Sequence, residues 1–256
     1  MSAMAIRKLS VRSHSTRTSA EPAWTGAEVF IFDVEGTLVD AMMPTLRCWR
    51  ETFAHFGHEI SLAELHFLAG MDGEDMLTKL LPGASKAERK EMREFQGKRF
   101  REEYLPHVHG FPGVRMLFED LKRRGRKIAL ATDCDKDQLR HYLTVTGTEN
   151  LIDAIGCGED VKHGKPAPDL VEVALRRVRA GRKFSILIGD TPYDAEAALS
   201  AGVTPIGVLT GHFSGRVLHE AGCRAVLRDP VALREALIQA DATARRPVEA
   251  SAASAA

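Results

Sequence analysis

The sequence is short of cysteine, carries no net charge and has no long apolar run, and each shortage removes a class of function. Its four cysteines, Cys48, Cys134, Cys157 and Cys223, are widely spaced with no C-x-x-C pair, so neither a zinc knuckle nor a redox dithiol is indicated. Reduced thiols in a cytoplasmic protein are the simplest expectation. Lys plus Arg number 35 and Asp plus Glu number 35, which leaves no overall field to attract nucleic acid or an anionic membrane. No apolar run approaches the ~20 residues of a membrane-spanning helix, so a soluble protein is expected, as a monomer or homodimer.

What is present is enough apolar sequence, 44% of 256 residues, for a main domain carrying a smaller one. Five short runs, EVFIFD, KIALAT, DAIGCG, FSILIGD and PIGVLT, lack alternation and stop at Gly, Asp or Thr, the pattern of strands buried on both faces. Helical stretches at Lys136 to Thr146, Pro168 to Ala180 and Tyr193 to Ala201 separate the later runs. This alternation predicts an α/β fold, a doubly wound parallel sheet with helices on both faces. The interval Ala41 to Gly110 has amphipathic helical pattern and no strand of its own, and so reads as an inserted all-helical cap. The expected division is a core of residues 26–40 and 111–240, a cap of 41–110, and disordered tails at 1–25 and 241–256. Within residues 1–20, Arg7, Lys8, Arg12 and Arg17 without any acid also suit a transit peptide, but a long apolar face is missing.

Parallel sheets of this kind bind ligands outside the carboxyl ends of their strands. Asp33 ends the first run with Gly36 close behind, Thr132 ends the second, and Asp190 ends FSILIGD with Asp194 four residues on. Lys165 lies in HGKPAPD, just before a helix. Carboxylates from separate strand ends can hold Mg²⁺, while a hydroxyl, an ammonium and backbone amides can balance a phosphate. With that charge neutralised, Asp33 could attack phosphorus and form an aspartyl-phosphate.

In this order, DVEGT, the strand-terminal Thr132, the lysine of GKPAPD and the run GDTPYD resemble the four motifs of the haloacid dehalogenase-like hydrolases, over about Val29 to Leu227. The helical insertion resembles that superfamily's first class of cap. The resemblance implies that Asp33 is nucleophile and metal ligand, and that Glu35 gives Mg²⁺ its backbone carbonyl and acts through its side chain as acid and base. It implies that Gly36, Thr37, Thr132, Asp133 and Lys165 serve the phosphate, with Lys165 also steadying Asp33, and that Asp190 and Asp194 are metal acids, Asp190 the more direct.

Two positions depart from the pattern. Phosphatases of the family mostly carry Asp where this chain has Glu35, although enolase-phosphatases have DIEGT; the longer side chain has similar acidity but is displaced by on the order of 1 Å. Asp133 stands where relatives often have Ser or Asn, which suggests a side chain turned away from the phosphate. The stretch AGMDGEDM, Ala69 to Met76, could reach over the site to select substrate or could simply join two helices, and Arg47, Arg50 and Lys79 could assist or face water. The histidines His55, His58, His107 and His109 lack a third ligand and are expected to be solvated or capping. The expected activity is hydrolysis of a small phosphorylated metabolite, either a phosphoglycolate-like acid or a sugar phosphate. A β-phosphoglucomutase-like phosphosugar mutase and a non-catalytic phosphometabolite-binding protein are the alternatives.

Overall fold

The computed structural model describes residues 24–244. The expected tails lie outside them, except at their inner ends. Trp24 packs on the core, and the last helix runs to Ala244.

The strands are β1 (Val29–Phe32), β2 (Lys127–Ala131), β3 (Ala154–Gly156), β4 (Ser185–Gly189), β5 (Thr204–Val208) and β6 (Ala225–Leu227). They form one sheet in the order β3-β2-β1-β4-β5-β6, with every pair parallel. β1 is central, with Val29 paired to Lys127 on one side and Ser185 on the other. Its side chains alternate between two cores. Phe30 and Phe32 pack with α5 (Val114–Arg123), α6 (Lys136–Thr146) and α10 (Pro230–Ala244), whereas Val29 and Ile31 pack with α7 (Asp169–Val178) and α8 (Pro192–Ser200). Both faces are covered, which is why the strands read as continuous apolar runs. β6, absent from the sequence reading, has three half-buried residues at the edge, too little pattern to stand out.

The chain turns back after β1. The N–H groups of Thr37, Leu38 and Val39 all reach Val34 O, and Gly36 N–H reaches Val39 O at 2.8 Å. It then leaves the core for α1 (Met42–His55), α2 (Leu62–His66), α3 (Gly73–Leu80) and α4 (Lys86–Arg99), followed by a π-helical turn at Phe100–Tyr104. These helices share an apolar cluster of their own, with Leu46, Trp49, Phe53, Leu65, Met76, Leu77 and Met92 at its centre. Outgoing and returning chains lie side by side: Asp40 N–H bonds His109 O and Phe111 N–H bonds Leu38 O, both at 2.9 Å. The cap boundaries that we propose, at 41 and 110, coincide with this crossing.

Local signals set several helix starts. Asp135 and Gln138 form a reciprocal capping box on α6, as do Thr191 and Asp194 on α8, and Ser61 and Glu64 on α2. α8 therefore begins at Pro192, since Thr191 caps it and proline suits the first helical position.

Candidate active site

The sheet order reverses at β1, so β2 and β4 diverge to either side of it and leave a crevice at their carboxyl ends. Asp33 sits there, buried, with its N–H still bonded to Ile188 O at 2.9 Å. Lys165 comes in from the segment before α7. Its ammonium donates to Asp33 Oδ1 at 2.5 Å and to Asp194 Oδ1 at 2.9 Å, and lies 3.6 Å from Asp133 Oδ2. Burial alone would favour the neutral amine, but Asp194, Asp33 and Asp133 outweigh it and hold Lys165 firmly protonated. Burial raises the Asp33 carboxyl well above the usual carboxylate range; Lys165 opposes this, while Asp194 and Asp190 add to it.

Asp190, just beyond β4, accepts from Thr37 Oγ1 at 2.9 Å through Oδ1, while its buried Oδ2 has no protein partner. Gly36, at φ +85°, and Gly211 stand so close that a Cβ on either would collide with the Asp190 carboxylate. Both oxygens of Asp194 are engaged. Oδ1 takes Lys165, and Oδ2 takes the N–H and hydroxyl of Thr191 at 3.0 and 2.7 Å. One oxygen from each of Asp33, Asp190 and Asp194 lies within 4.8 Å of the others. The Glu35 carboxylate is not in this group. Its Oε1 accepts the Tyr142 hydroxyl at 2.7 Å, and burial raises its pKa, opposed by Tyr142 and by Lys165.

At the end of β2, the buried Thr132 donates its hydroxyl to Cys134 Sγ at 3.3 Å, and its N–H bonds Gly156 O at 3.0 Å. The next residue differs from expectation. Asp133 does not turn away, because its carboxylate accepts the Lys165 backbone N–H at 3.2 Å and faces the lysine ammonium. Burial pushes this acid up to about 7, with Lys165 opposing and Asp72 assisting.

A cavity of about 640 Å³ opens above these groups, with Asp33, Glu35, Asp133 and Lys165 on its floor. Gly36, Thr37, Thr132, Asp190 and Asp194 lie around or beneath the floor rather than in the cavity lining. Cap residues form the opposite wall. Gly70, Met71, Asp72 and Gly73 do reach over the site, and Asp72 N–H bonds Lys165 O at 3.2 Å. The basic groups on the wall are Lys90, Arg93 and Arg101, whereas Arg47, Arg50 and Lys79 are exposed and do not line it. Lys90, Arg93, Gln96, Gly97 and Arg101 recur at three- and four-residue intervals, a helical face that the sequence displays. The sequence reading missed that face because nothing local says what a polar face meets.

The cap also touches the core away from this cavity. Tyr193 donates to Phe67 O at 2.7 Å, and the His66 ring lies tilted 5.7 Å from Phe213 and edge-on to His212. His55 stacks on Phe95 at 4.2 Å, His58 lies 3.8 Å from Glu88, and His107 and His109 are exposed.

The arrangement has known counterparts. A phosphorylated carbohydrates phosphatase of Thermotoga maritima is 29% identical over 207 residues, 78% of this chain and 94% of the relative. A phosphoglycolate phosphatase of Colwellia psychrerythraea is 24% identical over 204 residues, 76% of this chain and 90% of the relative. The crystal structure of a hydrolase from Pseudomonas syringae superposes with a TM-score of 0.77 at 28% identity, covering 82% of this chain and 98% of that one. The family model for haloacid dehalogenase-like hydrolases matches residues 30–208, a span that includes Asp33, Lys165, Asp190 and the whole cap, and the chain is an enzyme of that family.

Proposed function

We propose that the protein is a Mg²⁺-dependent phosphatase that hydrolyses a small phosphorylated metabolite through an aspartyl-phosphate on Asp33. The observation that carries this reading is the buried Asp33 carboxylate, held by Lys165 at 2.5 Å on the floor of a metabolite-sized cavity. The phosphatases to which the chain is similar support the same reaction class.

Asp33 Oδ attacks phosphorus, the bond from phosphorus to the leaving oxygen breaks, and the Glu35 carboxyl gives that oxygen its proton. Water then attacks phosphorus, returns a proton to Glu35 and breaks the Asp33–phosphorus bond, releasing inorganic phosphate. Burial raises the Glu35 pKa, which favours the protonated form that the first step needs. Lys165 keeps Asp33 aligned and offsets its charge, with Thr132 and the backbone N–H groups of residues 34, 35 and 133 serving the phosphoryl oxygens. The N–H groups of Gly36 and Thr37, expected to serve the phosphate, are instead taken by Val39 O and Val34 O, and the Thr37 hydroxyl by Asp190.

The acids fit a divalent cation. Three buried carboxylates cluster there with one lysine shared by two of them, Asp33 and Asp194, and Asp190 Oδ2 is buried with no protein partner. Asp33, Asp190 and the backbone carbonyl of Glu35 would hold the ion, with Asp194 behind them. An all-oxygen set suits Mg²⁺. When bound, the ion would supply positive charge that screens the repulsion between the Asp33 carboxylate and a phosphate.

Phosphate release from a panel of phosphoglycolate-like acids and sugar phosphates, with Mg²⁺ and with a chelator, tests the proposal. Mg²⁺-dependent release from one compound class is expected. No release from any member, or release unaffected by chelation, would overturn it.

A further inference from the structure

We infer that Tyr142 is the residue that positions the acid and base: Glu35 and Tyr142 form a matched pair, and the tyrosine makes a glutamate serviceable at position 35. This inference rests on the phosphatase reading and names a residue that the motifs do not contain.

The Tyr142 hydroxyl donates to Glu35 Oε1 at 2.7 Å, and the Tyr142 side chain has no solvent exposure. Both ends of the contact are anchored. Tyr142 lies in the second turn of α6, packed in the core cluster with Leu139 and Leu143. That helix is fixed at one end by the Asp135–Gln138 capping box and at the other by Gly147, in the left-handed conformation. Glu35 lies in the tight turn after β1, whose N–H groups converge on Val34 O. Neither backbone can shift cheaply, so side-chain length decides whether the two groups meet. An Asp at position 35 would withdraw the carboxyl by on the order of 1 Å and break the bond. The phenol can only donate to a carboxylate. Holding Oε1 leaves Oε2 as the oxygen that exchanges a proton with the leaving group and the water. Packing against the core leaves the phenol few rotamers, so the carboxyl it holds is oriented before substrate arrives.

A positioning role predicts a dependence on leaving group that a structural role does not. An alkoxide needs a proton as it departs, whereas p-nitrophenolate leaves without one, and kcat/KM reports the steps up to that departure. The test compares p-nitrophenyl phosphate with the alkyl phosphate that the wild-type enzyme hydrolyses fastest. In Tyr142→Phe, kcat/KM for the alkyl ester is expected to fall at least about tenfold further than that for the aryl ester. Glu35→Asp should show the same selective loss, and the double variant should lose no more than Glu35→Asp alone, because one interaction is removed either way. An equal fall on both esters, no change on either, or an additive double variant overturns the inference while leaving the phosphatase reading standing. If Tyr142→Phe does not fold, Glu35→Asp decides, and an unchanged alkyl-to-aryl ratio there overturns the pairing. A wild-type enzyme inactive on both esters overturns the phosphatase reading and this inference with it.

Discussion

On the floor of the cavity, Lys165 meets Asp33 at 2.5 Å and Asp194 at 2.9 Å, with none of the three side chains more than 4% exposed. On the cap wall, Lys90 meets Glu94 at 3.6 Å and Arg93 meets Glu74 at 3.8 Å, with side chains between 37% and 77% exposed. Removing one partner of a buried pair costs ~3–5 kcal/mol, because a desolvated charge is left alone, whereas an exposed pair contributes ~1 kcal/mol or less. The floor is therefore fixed when the protein folds. The wall can exchange its partners for those of a ligand at little cost. On the proposed function, the contrast would separate the chemistry, which needs a set geometry, from the selection of substrate, which could vary with cap residues.

The severest way to break this contrast is Asp33→Asn, which should lower phosphate release by about 10⁴-fold or more while the circular dichroism spectrum is retained. Turnover within tenfold of wild type would remove Asp33 from the mechanism. Next, Lys165→Met should lower kcat by about 10²–10³-fold and destabilise the fold by ~3–5 kcal/mol at neutral pH, read by denaturant titration. A variant that loses activity but keeps full stability would show that the floor is not held by this lysine.

Asp133→Asn probes the floor through pH. The folded-state pKa of Asp133 is raised from its ordinary 3.8 to about 7, so the native protein holds this proton over a window in which the unfolded chain has released it. Stability therefore declines as pH rises from about 4 to about 7, and the variant escapes that decline. It should melt above wild type at pH 8, with the difference vanishing below about pH 4. An equal melting temperature at pH 8 would refute the raised pKa. The smallest effect belongs to the wall, where Arg93→Ala should change KM by about fivefold and leave kcat and the melting temperature nearly unaltered, since the lost pair is exposed. A large fall in kcat would make the wall part of the chemistry.

The sequence by itself determined the core strands and set Asp33, Thr132 and Asp190 at their carboxyl ends. Burial on both faces writes β1, β2 and β4 as uninterrupted apolar runs, and the acids at their carboxyl ends mark where the sheet meets ligand. The caps at Asp135 and Thr191 are equally local, each within three residues of its partner, although the sequence reading did not name them and began the second of these helices at Tyr193 rather than Pro192. β6 was not readable, with three half-buried residues and no contrast against its flanks. Only the tertiary structure decided which oxygen of Asp190 lacks a partner, which way Asp133 turns, and which helical face of the cap becomes the wall. It also joined Glu35 to Tyr142 across 107 residues of chain. The physical reason is range. Strand pattern and helix caps are set by neighbours a few residues away, whereas the meeting of two side chains depends on how whole helices pack against the sheet, which no local stretch encodes.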